Sequence, residues 1–92
     1  MRPTVAELQE RLAARLQGAR IEIVDDSAAH AGHAGAAGGA GHYQVRVISD
    51  AFGGLTRIAR HRLVYDAIAD WMPHRVHALA ITAVTPKEAG EH

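Results

Sequence analysis

Histidine is the residue type in this sequence with the widest capacity for chemistry. Seven of the 92 residues are histidine, and none is cysteine. An imidazole nitrogen binds transition-metal ions and transfers protons near neutral pH. The absence of thiols excludes disulfides, a catalytic cysteine and thiolate metal ligands from this chain. A soft metal held here would therefore take most of its ligands from another molecule.

Two histidines, His30 and His33, lie three residues apart in the segment 27–41, which contains only serine, alanine, histidine and glycine. Glycine frees the backbone and alanine has little surface to bury, so we expect a flexible loop. Loops of about 15 residues in small domains are usually functional or disordered. The two histidines could bind a metal or could be an incidental surface pair, and the residue types leave both interpretations open.

Another histidine, His77, opens an apolar segment near the end of the chain. It shares one face of a predicted strand with Leu79 and Ile81, because alternate residues of a strand point the same way. At the start of the strand its side chain can reach the rim of a cleft instead of the core. A histidine at the start of an apolar strand is unusual.

His61 lies in the second of two predicted helices. The apolar stripe of that helix includes Ile58, Tyr65 and Ile68, with Val64 at its edge. His61 falls within this stripe. A histidine on an apolar stripe is more often a buried structural residue than a ligand, and we expect that role here.

Three arginines, Arg57, Arg60 and Arg62, form a basic cluster with His61 on the first two turns of the same helix. Such side chains usually form a solvated face. Their functional interpretation is a surface for an anionic partner, such as phosphate or an acidic protein patch. The formal net charge of the chain is zero, which argues against strong non-specific binding to DNA or an anionic membrane.

The hydrophobic pattern predicts two helices and three strands. Thr4 and Glu7 have the spacing of a capping box at the start of the first helix, and Pro73 ends the second. The predicted elements are a helix over Thr4–Leu16, strands over Arg20–Asp25 and His42–Asp50, a helix from Leu55 or Thr56 to Met72, and a strand over Arg75–Thr85.

These elements predict an α+β two-layer sandwich, formed by a single domain over residues 1–92. The first two strands are joined by the loop and should be antiparallel, whereas the last strand returns through a helix and can pair parallel to one of them. Both helices would cover one face of a three-stranded mixed sheet. The polar tail, residues 86–92, is expected to be frayed.

Other broad classes lack support in the sequence. No apolar run approaches the roughly 20 residues that span a bilayer, and the first residues lack the apolar centre of a signal peptide. A soluble cytoplasmic protein without membrane partners is therefore expected. No nucleophile–base pair, phosphate loop or HExxH-type zinc motif appears, so we do not expect an enzyme.

Along nearly its whole length the chain resembles the BolA-like protein family. The resemblance rests on three segments: VDDSAAH, HYQVRVISDAFGGLTRIARHRLVYDAI and VHALAITAVTPKE. The F-x-G turn, the R-H-R-x-V-Y helix and the V-H-A-L strand occur in the family's order and spacing, and together they are specific. The resemblance implies the same helix–strand–strand–helix–strand layout, similar to a class II KH domain.

The resemblance also implies a function. Members of the family pair with monothiol glutaredoxins and share a [2Fe–2S] cluster, in iron sensing or in cluster trafficking. The glutaredoxin supplies a cysteine, glutathione supplies a second thiolate, and the BolA-like partner supplies the remaining ligands. Carried onto this sequence, those ligands are His77 and the loop residue His30, with His33 as the alternative. Some members use a cysteine in the loop, which this chain cannot.

The alternative function is a nucleic-acid-binding transcriptional regulator that uses the basic helix. The KH-like layout and Arg57, Arg60 and Arg62 favour it. The zero net charge and the lack of a glycine loop flanked by lysines between two helices argue against it. Whether DNA is bound, and whether the chain forms a weak homodimer, stays open on the sequence.

Overall fold

The fold is a small α+β sandwich with the predicted order of elements. The computed structural model describes residues 2–27 and 41–91. The loop residues 28–40, with His30 and His33, and the terminal His92 lie outside the described residues. The elements are α1 (Val5–Arg15), β1 (Arg20–Asp25), β2 (Gly41–Ile48), α2 (Arg57–Asp66) and β3 (Val76–Val84), with short 3₁₀ turns at Asp50–Phe52 and Ala69–Trp71.

The three strands form one mixed sheet in the order β1–β2–β3. β1 and β2 are antiparallel, and β2 and β3 are parallel because the chain returns through α2. The predicted α+β class and the mixed sheet are confirmed. β2 is the central strand, and most of its residues are buried.

One hydrophobic core lies between the sheet and the two helices. Tyr43, Val45 and Val47 alternate along β2 and point into it, as the two-residue period of a strand requires. The Tyr43 hydroxyl donates a hydrogen bond to the Pro3 carbonyl, which satisfies its polar end inside the core. The helices and turns add Leu8, Leu12, Phe52, Val64, Ala67 and Ile68, and β3 adds Val76.

The first helix begins with the predicted capping box. The Glu7 backbone N–H donates to Thr4 Oγ1 at 3.0 Å, and the Thr4 N–H donates to Glu7 Oε1 at 2.9 Å. Two N–H groups that lack partners inside the helix are satisfied in this way. The exposed Glu7 carboxylate accepts the hydrogen bond, which lowers its pKa.

The second helix is shorter than predicted and buries a different stripe. It ends at Asp66, so residues 67–72 leave the helix and only the 3₁₀ turn follows. Val64 and Ile68 are fully buried, whereas Ile58 is 73% exposed and Tyr65 is 43% exposed. The predicted stripe is confirmed at Ile68 but wrong at Ile58 and Tyr65, because the buried residues are Val64, Ala67 and Ile68 and the pattern placed Val64 only at the edge.

His61 is exposed as a result, and the prediction that it is a buried structural residue is wrong. Arg60 instead lies towards the sheet, with a side chain only 13% exposed. Its aliphatic stem can cover apolar surface while its guanidinium reaches polar partners at the end of β3. Arg60 is thus the residue that faces the sheet, where the apolar pattern had placed His61.

The expectation of a frayed tail does not hold for residues 86–91. Thr85 and Glu88 form a reciprocal pair of hydrogen bonds at 2.8 and 3.2 Å, which has the geometry of a capping box. Arg60 binds Glu88 at 2.6 Å, and Arg20 forms an ion pair with Glu91. The tail is therefore fixed to β1 and to α2 by ion pairs. The polar composition of the tail does not reveal these partners.

The structure bears on the membrane prediction only through its helices. In the part of the chain that is described, no helix combines the length and the apolar character needed to cross a bilayer.

Candidate metal centre

His77 lies at an irregularity where β3 begins. Gly41 on β2 faces Val76, whereas the next residue, His42, faces Ala78. One step along β2 therefore matches two steps along β3, and His77 is the extra residue of a β-bulge. Bulges redirect side chains and are common beside functional sites.

The bulge corrects the predicted face of His77. Val76 is fully buried, and Leu79 and Ile81 pack against the same core. Regular alternation cannot place residues 76, 79 and 81 on one side, so the bulge must reverse it between them. His77 is released from the core face and is exposed. An exposed imidazole at the end of a sheet is accessible to a metal ion or to another molecule.

A second imidazole lies next to His77. The ring centroids of His42 and His77 are 5.2 Å apart, and the ring planes are inclined by 44°. His42 is 8% exposed and is one of the few buried polar residues among those described. His42 was not among the predicted site residues. The signal was available, because β2 and β3 each carry a histidine near their start and parallel strands start at the same edge of a sheet.

The backbone of His42 is bound to the end of β1. Its N–H donates to Ser27 Oγ at 3.0 Å, and the Asp26 N–H donates to its carbonyl at 2.8 Å. The Ser27 N–H in turn donates to Asp25 Oδ1 at 2.9 Å, and hydrogen bonding from Ser27 lowers the pKa of the Asp25 carboxyl. The described residues that flank the loop are thus fixed beside His42.

Gly41 fixes the start of β2 from the other side. Its N–H donates to the Arg75 carbonyl at 2.9 Å, which joins it to the residue before β3. A Cβ atom at this position would lie 2.3 Å from Cε2 of Tyr43. Burial raises the pKa of the Tyr43 hydroxyl, in keeping with its place in the core. Only glycine allows the strand to pass this close to the tyrosine ring.

The imidazoles of His42 and His77 at this edge of the sheet are of the ligand type that binds transition metals through nitrogen. Imidazole binds zinc, copper, nickel and iron, and the chain offers no competing thiolate. Groups of three or more potential metal ligands do not occur among residues 2–27 and 41–91. Among the predicted ligands, His77 is the one that lies within the described residues.

The predicted basic surface on α2 divides into two parts. The Arg60 guanidinium binds Glu88, the Ala83 carbonyl at 3.2 Å and the Leu55 carbonyl at 3.1 Å. This contact lowers the pKa of Glu88 to about 2. Arg57 and Arg62 are exposed, and neither makes an ion pair or a side-chain hydrogen bond within the described residues.

A shallow groove runs between α2 and β3. His61, Arg62 and Tyr65 line one side of it, and Leu79 and Ile81 line the other. The exposed stripe of α2 is therefore adjacent to the edge strand that begins at the bulge. Arg57 lies outside this groove, in a second depression beside Arg60 and Glu88.

Comparison with known proteins identifies relatives along most of the chain. The sequence model of a family described as BolA-like protein matches residues 12–88. SufE-like protein 1, chloroplastic/mitochondrial, from Arabidopsis thaliana is 42% identical over 88% of this chain but only 23% of its own length. BolA-like protein 1 from Pongo abelii is 38% identical over 98% of this chain and 64% of its own length. The DNA-binding transcriptional regulator BolA of Escherichia coli is 37% identical over 88% of this chain and 74% of its own length.

A solved structure agrees with the fold. BolA1 from Arabidopsis thaliana has a TM-score of 0.76 and 34% identity, and the match covers 96% of this chain and 97% of that one. The chain spans less than two thirds of the length of the first two relatives above. One of these relatives carries an organellar name, so the cytoplasmic location of this chain stays a prediction.

Proposed function

The chain belongs to the BolA-like protein family, and on this basis we propose that it shares a [2Fe–2S] cluster with a monothiol glutaredoxin and glutathione. Its role would be that of a binding partner in iron sensing or in cluster trafficking, without catalysis of its own. The shared cluster would be the signal or the cargo.

The observation that carries this proposal is the position of His77. It is an exposed imidazole on a β-bulge, beside a second imidazole, in a chain that has no cysteine. A protein that binds one side of a cluster needs an accessible ligand at its surface. It also needs a partner for the thiolate ligands that it lacks.

In the proposed complex, the glutaredoxin cysteine and the glutathione thiolate bind one side of the cluster, and this chain binds the other through His77 and a loop histidine, His30 or His33. The loop histidines lie outside the described residues. Their segment is flanked by Ser27 and Gly41, which are fixed beside His42 and Arg75. Imidazole in place of thiolate raises the reduction potential of such a cluster.

Visible circular dichroism tests the proposal. A glutaredoxin that carries its cluster with glutathione is titrated with this chain, and a new cluster spectrum is expected at a one-to-one ratio. His77→Ala should abolish the change. His74→Ala is the matched control, because His74 is also an exposed histidine but lies in the turn before β3. A spectrum that stays that of the glutaredoxin homodimer throughout the titration would rule out the shared cluster.

Nucleic-acid binding is the second candidate function. Arg57 and Arg62 are exposed and make no ion pair within the described residues, so both are available to phosphate. The Escherichia coli relative bears the name DNA-binding transcriptional regulator. DNA binding measured by fluorescence anisotropy at several salt concentrations should weaken in Arg57→Ala and Arg62→Ala. If these variants bind DNA as tightly as the wild type does, α2 is not the nucleic-acid-binding surface.

A further inference from the structure

We propose that His42 and His77 together bind a single first-row transition-metal ion on this chain alone. The pair joins the central strand of the sheet to the edge strand, at the end where β2 and β3 both begin. The inference involves His77, as the proposed function does, but it does not depend on a glutaredoxin. It adds His42, which is not among the ligands that the family resemblance implies.

The distance between the two rings fits a shared ion. A metal–nitrogen bond is about 2.1 Å long, and the ring centre lies about 1.1 Å further on, so two imidazoles on a tetrahedral ion have centres about 5 Å apart. The centroids of His42 and His77 are 5.2 Å apart. A simple aromatic contact falls in the same range of distances. The test must therefore separate coordination from packing.

The pair is already positioned by the fold. The backbone of His42 is held by Ser27 and by Asp26, and His42 is buried. His77 is set by the bulge between Val76 and Ala78. Because neither backbone needs to be ordered on binding, the entropy lost on binding an ion is small.

The ligand class follows from the donors. Two neutral imidazoles favour zinc, nickel, copper or iron over magnesium and calcium, which prefer oxygen ligands. Two of the four positions of a tetrahedral ion would remain open to solvent or to donors from another molecule.

Isothermal titration of the isolated chain with Zn²⁺ tests the pair. We expect His42→Gln and His77→Gln each to weaken binding at least tenfold, because a second tethered ligand acts at high effective concentration. The loss of affinity in the double variant should be smaller than the sum of the two single losses, because each single variant already removes the advantage of two tethered ligands on one ion. His74→Gln is the control and should bind as the wild type does.

Additive losses in the double variant, or single variants within twofold of the wild type, would overturn the proposal. If His42→Gln does not fold, as judged by far-ultraviolet circular dichroism, the wild type still gives an answer. Substoichiometric Co²⁺ should broaden the ring resonances of His42 and His77 together and spare those of His74. Broadening of His77 without His42 would reduce the pair to an aromatic contact.

Because this titration contains no glutaredoxin, its outcome is independent of the cluster experiment. A shared cluster that forms without Zn²⁺ binding by the pair would leave the proposed function standing and this inference refuted. The reverse result would retain the metal pair and remove the glutaredoxin complex.

Discussion

Replacing Gly41 with alanine should strongly destabilise the protein, although the change adds a single methyl group. The new Cβ atom would lie 2.3 Å from Cε2 and 2.6 Å from the hydroxyl oxygen of Tyr43. Ordinary contacts begin at about 3.4 Å, so the ring would have to move by about 1 Å. Tyr43 is only 2% exposed, and its hydroxyl binds the Pro3 carbonyl.

The expected cost has two parts. Overpacking a filled core costs about 1–3 kcal/mol. Displacing the Tyr43 hydroxyl from its acceptor costs about 1 kcal/mol more. The free energy of unfolding should therefore fall by about 2–4 kcal/mol, which for a domain of this size lowers the melting temperature by about 10–25 °C. Urea unfolding followed by far-ultraviolet circular dichroism measures the first quantity, and a thermal scan measures the second.

Two further variants make the reasoning refutable. Gly53→Ala is the matched control, because Gly53 has a negative φ and its added Cβ would lie 3.3 Å from the Asp50 carbonyl. Tyr43→Leu removes the ring that the new methyl group would meet. If Gly41→Ala costs no more than Gly53→Ala, or costs as much in the Tyr43→Leu background as in the wild type, the clash is not the cause.

Three further outcomes follow from side-chain contacts. Because Arg60 lowers the folded-state pKa of Glu88 to about 2, below its usual 4.5, the stability from this contact is present above pH 4.5 and is lost as the pH falls towards 2. The gap in urea midpoint between wild type and Glu88→Gln should therefore be present at pH 6 and close near pH 2, and a gap that widens on acidification would contradict this. Arg11→Gln should change the fluorescence emission of the only tryptophan, Trp71, because the Arg11 guanidinium lies 4.1 Å from its ring centroid. The same variant should lower the free energy of unfolding in urea by about 0.5–1 kcal/mol. An unchanged emission spectrum would exclude the contact in solution. Thr4→Ala should cost about 1 kcal/mol by the same measurement, through loss of the capping box, whereas Thr4→Ser should cost little.

Local patterns predicted most of the secondary structure, because the signals that define it are short in range. The capping box of Thr4 and Glu7 and the alternation along β2 depend on residues a few positions apart. The pairing of β3 followed from the rule that a helical crossover joins parallel strands. These features need no knowledge of which side chain meets which across the core.

The errors arose where tertiary contacts decide between similar local choices. Ile58 and Val64 have equal claims to a buried stripe by hydrophobicity, and the sheet selects Val64. Arg60 faces the sheet because its guanidinium donates hydrogen bonds there to Glu88 and to the carbonyls of Leu55 and Ala83. The tail was predicted to be frayed because its partners are distant in the sequence. Arg20 is 71 residues from Glu91, and Arg60 is 28 residues from Glu88.

The contact between His42 and His77 shows how one backbone irregularity can change which face of a strand a residue occupies. Strict alternation places His77 with Leu79 and Ile81, on the face that packs against the helices. One extra residue in β3 reverses that alternation, so Val76 enters the core and His77 is exposed beside His42. Gly41 lies at the same step of the ladder, where no larger residue fits against Tyr43. The glycine, the bulge and the two histidines therefore form one structural unit. A change that regularises the strand should turn His77 away from His42 and abolish the metal binding that we propose for the pair.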